Sequence, residues 1–230
     1  MSNTHLILSC SPRAGGNCDS AAGLFLQGVA ASGGDARLMR LREYGLSGCI
    51  ACDRCGKLAR GLAAVEPGKE PGGLLRKFAS GRFPQELEPG FAFGCPLGAN
   101  DDVPRLLDAL LAASSLCLVA PVYFYHLPAQ LKALLDRMQA LWNAQELGFF
   151  DDVPRKACRV ILIGARQQGE QLFTGSLLSL RYALGSCGYD LAQPLLLMGM
   201  DGKGDLAAHD GARAMVAQYA EEAAHAKPCP

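Results

Sequence analysis

Short apolar runs alternating with polar, glycine-rich breaks set the pattern of this chain. His5 to Cys10 (HLILSC) is an apolar run that stops at SPRAGGN, positions 11–17, after which Ala21, Ala22, Leu24, Phe25, Leu26 and Val29 mark one face of a helix. The pattern predicts a strand, a glycine-rich loop and a helix. A second strand fits Arg37 to Leu41. The third, Leu116 to Ala120, is apolar at every position, as expected of a central strand covered on both faces. The helix before it carries Val103, Leu106, Leu107, Leu110 and Leu111, with Asp102 as predicted N-cap and Pro104 in the first turn. The helix after it follows Pro128 and carries Leu131, Leu134, Leu135 and Met138. Val160 to Ile163 is a fourth strand, succeeded by GARQQGE and a helix to about Cys187. A fifth strand lies within Leu191 to Met198, and a final helix covers Ala207 to Ala224.

Strands alternating with helices predict an α/β doubly wound five-stranded parallel sheet, because parallel neighbours need crossover connections. In the strand order 2-1-3-4-5, strands one and three meet at the switch point, where the loops after strands one, three and four gather into a ligand site. A single domain over 1–230 is expected. One stretch breaks the rhythm: Gly56 to Gly94, rich in Gly, Pro and charge, with helical hints only at Leu58–Val65 and Leu74–Ala79. It reads as an insertion of about 56–94 after the second strand, just beyond a cysteine-rich loop at 49–55.

Composition narrows the function. Half the residues (50%) are hydrophobic, and 22 basic side chains cancel 22 acidic ones, so no overall field favours nucleic acid or anionic membrane. The apolar, uncharged run between Ala109 and Lys132 is interrupted by Ser114, Ser115, Pro121, His126 and Pro128, which argues against a membrane span. The first residues lack the features of a signal peptide, and a cytoplasmic location is expected. Ten cysteines are too few for a disulfide scaffold, so clustered cysteines point to metal or redox chemistry.

Two loops carry candidate binding chemistry. Ser11 to Asn17 lies where backbone N–H groups and a helix dipole favour a phosphate, with Gly15 and Gly16 permitting close approach, Ser11 and Asn17 able to donate, and Arg13 supplying charge. The loop is neither GxGxxG nor a Walker A sequence, which disfavours a standard dinucleotide site and an ATPase. A plain turn and helix cap is the competing reading. Pro121-Val122-Tyr123-Phe124-Tyr125 follows the central strand and could set aromatic rings and backbone amides against a flat heterocycle, although core aromatics would look the same. A third constellation is Cys49, Cys52 and Cys55, spaced C-x2-C-x2-C, which suits a 4Fe-4S cluster or, with a fourth ligand, zinc. Reduced surface thiols or a redox pair are the alternatives. Cys10, Cys117, Cys158 and Cys187 fall on predicted strands or helix faces and read as small buried hydrophobes, and Cys229 as a tail residue.

SPRAGGNCDSA, APVYFYHLPAQLKALLDR, ILIGARQQGEQ and MDGKGD, in that order, resemble the NADPH-dependent FMN reductase and iron–sulfur flavoprotein family over most of the chain outside the insertion. The resemblance implies a flavodoxin-like fold that binds FMN, with phosphate around Ser11, Arg13, Asn17 and Cys18, the isoalloxazine along Pro121, Val122, Tyr123 and Phe124, and further contacts from Ala165, Arg166 and Gly169. Cys18 stands where the family has a threonine, leaving the backbone amide there for the phosphate. Iron–sulfur members carry a fourth cysteine a few residues after the compact run; this chain has none there. Cys95 in CPLGANDDV aligns with the segment bearing that cysteine, the insertion lengthening the gap at small entropic cost.

The function expected is an FMN-dependent oxidoreductase coupling flavin to a 4Fe-4S cluster, with NAD(P)H or a ferredoxin-type donor and a redox protein or small molecule as acceptor. The alternative is an FMN-only NAD(P)H-dependent reductase of quinones, nitro- or azo-compounds; a flavodoxin-type carrier fits less well because the chain lacks net negative charge. No catalytic acid or base is required; His126 could assist protonation or be an ordinary hydrogen-bonded loop histidine. The resemblance also implies a homo-dimer or tetramer.

Overall fold

A computed structural model describes residues 4–63, 95–146 and 153–225 of the chain. In chain order it contains β1 (Thr4–Ser9), α1 (Asn17–Ala31), β2 (Asp35–Arg40), α2 (Arg54–Ala63), α3 (Val103–Ala112), β3 (Ser115–Pro121), α4 (Ala129–Arg137), α5 (Gln139–Gln145), β4 (Lys156–Ile163), α6 (Thr174–Gly185), β5 (Tyr189–Leu191), β6 (Leu195–Leu197), α7 (Asp205–Ala208) and α8 (Asp210–Ala224).

The strands form because alternate residues feed two apolar layers. Leu6 and Leu8, Leu116 and Leu118, and Val160 and Leu162 face one layer with Leu106, Leu110, Leu131, Leu134 and Leu180 of α3, α4 and α6. Ile7, Cys117, Val119, Ile161 and Ile163 face the other, with Phe25 and Val29 of α1 and Val216 and Ala220 of α8. All pairings are parallel in the order β2-β1-β3-β4-β5, as predicted, with β6 also on β4. Register aligns Ser9 with Arg40 and Val119, Pro121 with Ile163, and Ile163 with Leu197. The carboxyl ends therefore share one edge, and the loops that leave it lie side by side.

Three expectations change. The fifth strand is two, because Pro194 has no N–H to extend a ladder: β5 pairs with Lys156–Cys158 and β6 with Ile161–Ile163, giving six strands. The last helix is interrupted at His209, whose Nδ1 accepts from the Ala212 amide (3.1 Å) and caps α8. The helix after Pro128 ends at Met138, as read, and α5 follows it directly. Asp102 holds the N-cap position of α3 without capping it; its carboxylate takes the Gly45 amide (2.8 Å), and Asp101 accepts the Val103 amide (3.2 Å) instead.

The predicted buried cysteines Cys10, Cys117, Cys158 and Cys187 are in the core, where burial raises every one of these thiols above its ordinary pKa. Lys156 closes the end of α3, its Nζ donating to the carbonyls of Leu111 and Ala113. Of the predicted insertion, 56–63 belong to α2; 64–94, including the helical hint at Leu74–Ala79, and Cys229 lie outside the described residues. No helix among the described residues is long and apolar enough to cross a membrane.

Candidate functional site

The loop after β1 gathers unpaired donors and positive charge around one turn. Gly16 is the N-cap of α1 and offers no side chain to its first turn. First-turn N–H groups lack intrahelical partners, so those at positions 17–19 and the helix dipole face the loop. Gly15 adopts φ +63°, and a Cβ there would come within 3.4 Å of Lys203 Cε. Arg13 Nη2 donates to the Asp201 carbonyl (3.3 Å), so Arg13 and Lys203 flank the turn. Ser11 is buried, and its hydroxyl accepts the Arg13 amide (3.2 Å).

Two predicted phosphate residues take other duties with their side chains. Asn17 is buried at the first position of α1; its Nδ2 donates to the carbonyls of Met200 (3.2 Å) and Gly202 (2.8 Å), and its Oδ1 accepts the Leu206 amide (3.1 Å). Asn17 thus holds the 200–206 loop, which carries Lys203. The Cys18 thiol is buried in the layer with Ile7 and Phe25, and burial, reinforced by the charge of Asp19, pushes its pKa up to about 12. What Cys18 presents to the loop is its amide.

Asp19 would oppose an anion if left bare. Arg42 pairs with it through two bonds of 2.9 and 2.8 Å, Ser9 Oγ donates at 2.8 Å, and the Gly15 amide donates at 2.7 Å. Burial works against its ionisation, but Arg42, then Gly15 and Ser9, outweigh that and hold the carboxyl below its ordinary range. The network fixes the loop from behind and cancels its one internal negative charge.

Beside it, the chain leaving β3 makes a tight reversal. Val122 N–H bonds the Ile163 carbonyl (2.8 Å), and Tyr123 and His126 exchange two bonds of 2.9 Å. Phe124 and Tyr125, at the tip, have φ of 50° and 64°. Left-handed backbone costs an L-residue about 1–2 kcal/mol, and strain of this kind clusters at functional sites. The Phe124 ring is fully exposed, at 101%. Arg166 Nη1 donates to Tyr125 Oη (3.0 Å) with its guanidinium 5.4 Å over the Tyr125 ring, which joins the exposed loop of Ala165, Arg166 and Gly169 to the aromatic turn. A Gly169 Cβ would stand 3.9 Å from Tyr125 Oη. His126 Nε2 shares a hydrogen bond with Ser179 Oγ (3.1 Å), the loop-histidine arrangement.

The cysteines form a separate pocket. Cys49, Cys52, Cys55 and Cys95 all line it, Cys95 arriving from just before α3. Left-handed backbone at Ala51 (φ 52°) and Asp53 (φ 56°) turns the loop sharply between cysteines. Cys49 Sγ accepts the Ala51 amide (3.4 Å), and Cys55 Sγ accepts Asn143 Nδ2 of α5 (3.4 Å), against which α2 packs. Burial raises the Cys55 thiol's pKa, with the Gly56 amide and Asn143 pulling the other way. Behind the pocket Arg137 Nη1 donates to Asp101 (2.6 Å) and to the Ser47 carbonyl (3.1 Å), a buried ion pair that ties α4 to the segment entering the cysteine loop. Among the described residues, no three His, Cys, Asp or Glu side chains are placed to hold one metal ion.

Sequence reasoning missed Lys203, the Asp19–Arg42 pair, the Arg166–Tyr125 contact, and Arg137. Lys203 lies in MDGKGD, already singled out, and Tyr125 within the quoted aromatic run; Asp19 and Arg42 are 23 residues apart and carry no local signal.

A doubly wound parallel sheet in the order β2-β1-β3-β4-β5, with a glycine-rich loop after its first strand and an aromatic turn after its third, defines the class of α/β folds that have a switch point between strands one and three. Within that class, the chain belongs to the flavodoxin-like fold family, which it matches over residues 3–223. An iron–sulfur flavoprotein of Methanocaldococcus jannaschii is 27% identical over 164 residues, spanning 71% of this chain and 63% of that protein, less than two thirds of its length. Among solved structures, an NAD(P)H:quinone oxidoreductase from Methanothermobacter marburgensis is similar with a TM-score of 0.64 at 15% identity, covering 100% of both chains. An FMN-dependent NADH-azoreductase from Bacillus anthracis, in complex with FMN, gives 0.58 at 14% identity, covering 97% of this chain and 100% of that one. At these identities the structural likenesses establish the fold.

Proposed function

We propose that the protein is an FMN-dependent oxidoreductase that couples its flavin to a 4Fe-4S cluster held by Cys49, Cys52, Cys55 and Cys95. The observation that carries the coupling is the convergence of Cys95 with the three clustered cysteines on one pocket, although Cys55 and Cys95 are separated by the long segment between them. Four thiols with N–H donors on two of them suit an iron–sulfur group. A single zinc would gather its sulfurs within about 2.3 Å of one point, whereas a cluster spreads them over different irons.

For FMN, the fit rests on the first-turn amides of α1, the bare Gly16 cap, and Arg13 and Lys203 beside it, which suit a dianionic phosphate. Ser11 shapes the turn, Asn17 positions Lys203, and Cys18 contributes its amide. Pro121, Val122, Tyr123 and Phe124 supply the flat edge for the isoalloxazine, and Arg166 with Tyr125 walls its far side. Bound there, the flavin supplies two-electron exchange with a hydride donor such as NAD(P)H, and the cluster one-electron exchange with a redox partner or small-molecule acceptor. The chain's own residues bind, orient and exclude water; no side chain is needed to move a proton. The exposed rings of Phe124, Trp142 and Tyr182 give apolar surface for a second copy in a homo-dimer or tetramer. A cytoplasmic, reducing location would keep the four exposed or half-buried thiols ready for iron.

The test is iron, sulfide and flavin content after purification without oxygen, for the natural chain and Cys95→Ser. About four irons per FMN, lost in the variant with FMN retained, is expected; FMN without iron would overturn the coupling. The second reading, a flavin-only reductase of quinones, nitro- or azo-compounds, is favoured by the lack of three ligands already gathered for one ion among the described residues. It would then account for all activity with NAD(P)H.

A further inference from the structure

Buried polar atoms without partners are rare in folded proteins, and each one calls for a physical reason. Among the described residues three side-chain atoms are in this state: His5 Nε2, Ser176 Oγ and Arg137 Nε. Only the last belongs to a permanently charged group. Arg137 is 3% exposed, and it lines the pocket shared by Cys49, Cys52, Cys55 and Cys95.

Both terminal nitrogens of the guanidinium are engaged. Nη1 bonds Asp101 Oδ2 (2.6 Å) and the Ser47 carbonyl (3.1 Å), and Nη2 reaches Asp101 Oδ1 (3.4 Å). The fork fixes the plane of the group, so Nε–H cannot swing to another acceptor. Asp101 in turn is held by the Ser47 hydroxyl and the Val103 amide. The result is a charged donor, held in place by its fork, on a residue that lines the pocket together with the four cysteines and two carboxylates, of which Asp53 is paired with Arg60 and Asp136 with Lys132.

We propose that Arg137 Nε–H donates a hydrogen bond to a sulfur of the iron–sulfur group bound by these cysteines and thereby raises its reduction potential; this rests on the cluster reading above. Reduction adds negative charge to the sulfurs, and a hydrogen bond from a cation is stronger to the more negative acceptor. The donor therefore stabilises the reduced form more than the oxidised one. Arg137 is a positioning and tuning residue, not a cysteine-like ligand.

The experiment is a potentiometric titration of the cluster signal, by electron paramagnetic resonance, in anaerobically purified full-length protein. Two variants separate the roles. Arg137→Met with Asp101→Asn removes the donor without leaving a buried unpaired carboxylate, a replacement buried ion pairs tolerate. Arg137→Lys keeps the charge and a partner for Asp101 but has no Nε–H. Both are expected to retain iron and to shift the one-electron reduction equilibrium toward the oxidised form by roughly tenfold, about 59 mV. Midpoints equal to that of the natural chain, with iron retained, would overturn the proposal. So would loss of iron from both variants with FMN retained, since Arg137 would then merely support the pocket. A natural chain that binds FMN but no iron overturns the cluster reading itself, and is seen before any variant is titrated.

Discussion

Replacing Asn17 by alanine separates two meanings of the same residue. If Asn17 contacts a phosphate directly, the variant loses ligand affinity while the ligand-free fold is unchanged. The structure says otherwise: the side chain makes three bonds, to the Met200 and Gly202 carbonyls and from the Leu206 amide. Each is worth about 1 kcal/mol net, and the better helix propensity of alanine returns less than about 0.7 kcal/mol. The expected loss is about 2–3 kcal/mol, which for a chain of this size lowers Tm by roughly 5–10 °C. The same change frees the loop that bears Lys203, and FMN affinity should fall roughly tenfold, about 1.4 kcal/mol. Thermal unfolding of flavin-free Asn17→Ala by circular dichroism, with flavin fluorescence titration, measures both. A flavin-free Tm within a degree of the natural chain's would refute the reasoning, whatever the affinity did.

Three further outcomes are expected. Asp19 and Asp101 both have folded pKa values held below the unfolded value of about 3.9. Their stabilisation is therefore complete above that pH and is lost as pH falls through the lower folded values; urea unfolding between neutral pH and pH 3 should show the decline, and Asp19→Asn with Arg42→Met should flatten it. Gly28→Ala places a Cβ 2.6 Å from Ala220 Cβ, so overpacking of about 1–3 kcal/mol exceeds the roughly 1 kcal/mol of helix propensity gained, and urea midpoints should fall unless Ala220→Gly is added. Phe124→Asn relieves a left-handed phenylalanine that buries nothing in the free chain, so stability should rise by about 1 kcal/mol while flavin affinity declines; a drop in Tm would contradict the strain argument.

The sheet was legible because its central strands are apolar on both faces, which shows as short unbroken apolar runs bounded by turn residues in Leu116 to Ala120 and Val160 to Ile163. The splitting of the fifth strand was also present in the sequence, at Pro194, but a single apolar window hid it. Capping by Asp101 rather than Asp102 was not readable, since adjacent acids are equivalent until Gly45 claims one of them. Asn17 was picked as a phosphate residue from its place in the loop and Cys18 from the family resemblance, and it is tertiary contacts, with Met200, Gly202 and the core, that occupy their side chains. Arg137 follows Leu134 by three residues, on the flank of an apolar helix face, yet its partner Asp101 is 36 residues earlier and nothing local announces the pair.

Both margins of the sheet discourage another strand from adding on. On one side β2 sets Asp35, Arg37 and Arg40 along its length, partly or fully exposed. On the other, β5 and β6 are three residues each, parted by Ala192, Gln193 and Pro194. Short, charged or interrupted edges are how folded proteins avoid edge-to-edge aggregation. Self-assembly of this chain is accordingly expected to run through its helices and loops rather than by lengthening the sheet, which spares the edge where those loops gather from intermolecular β-pairing.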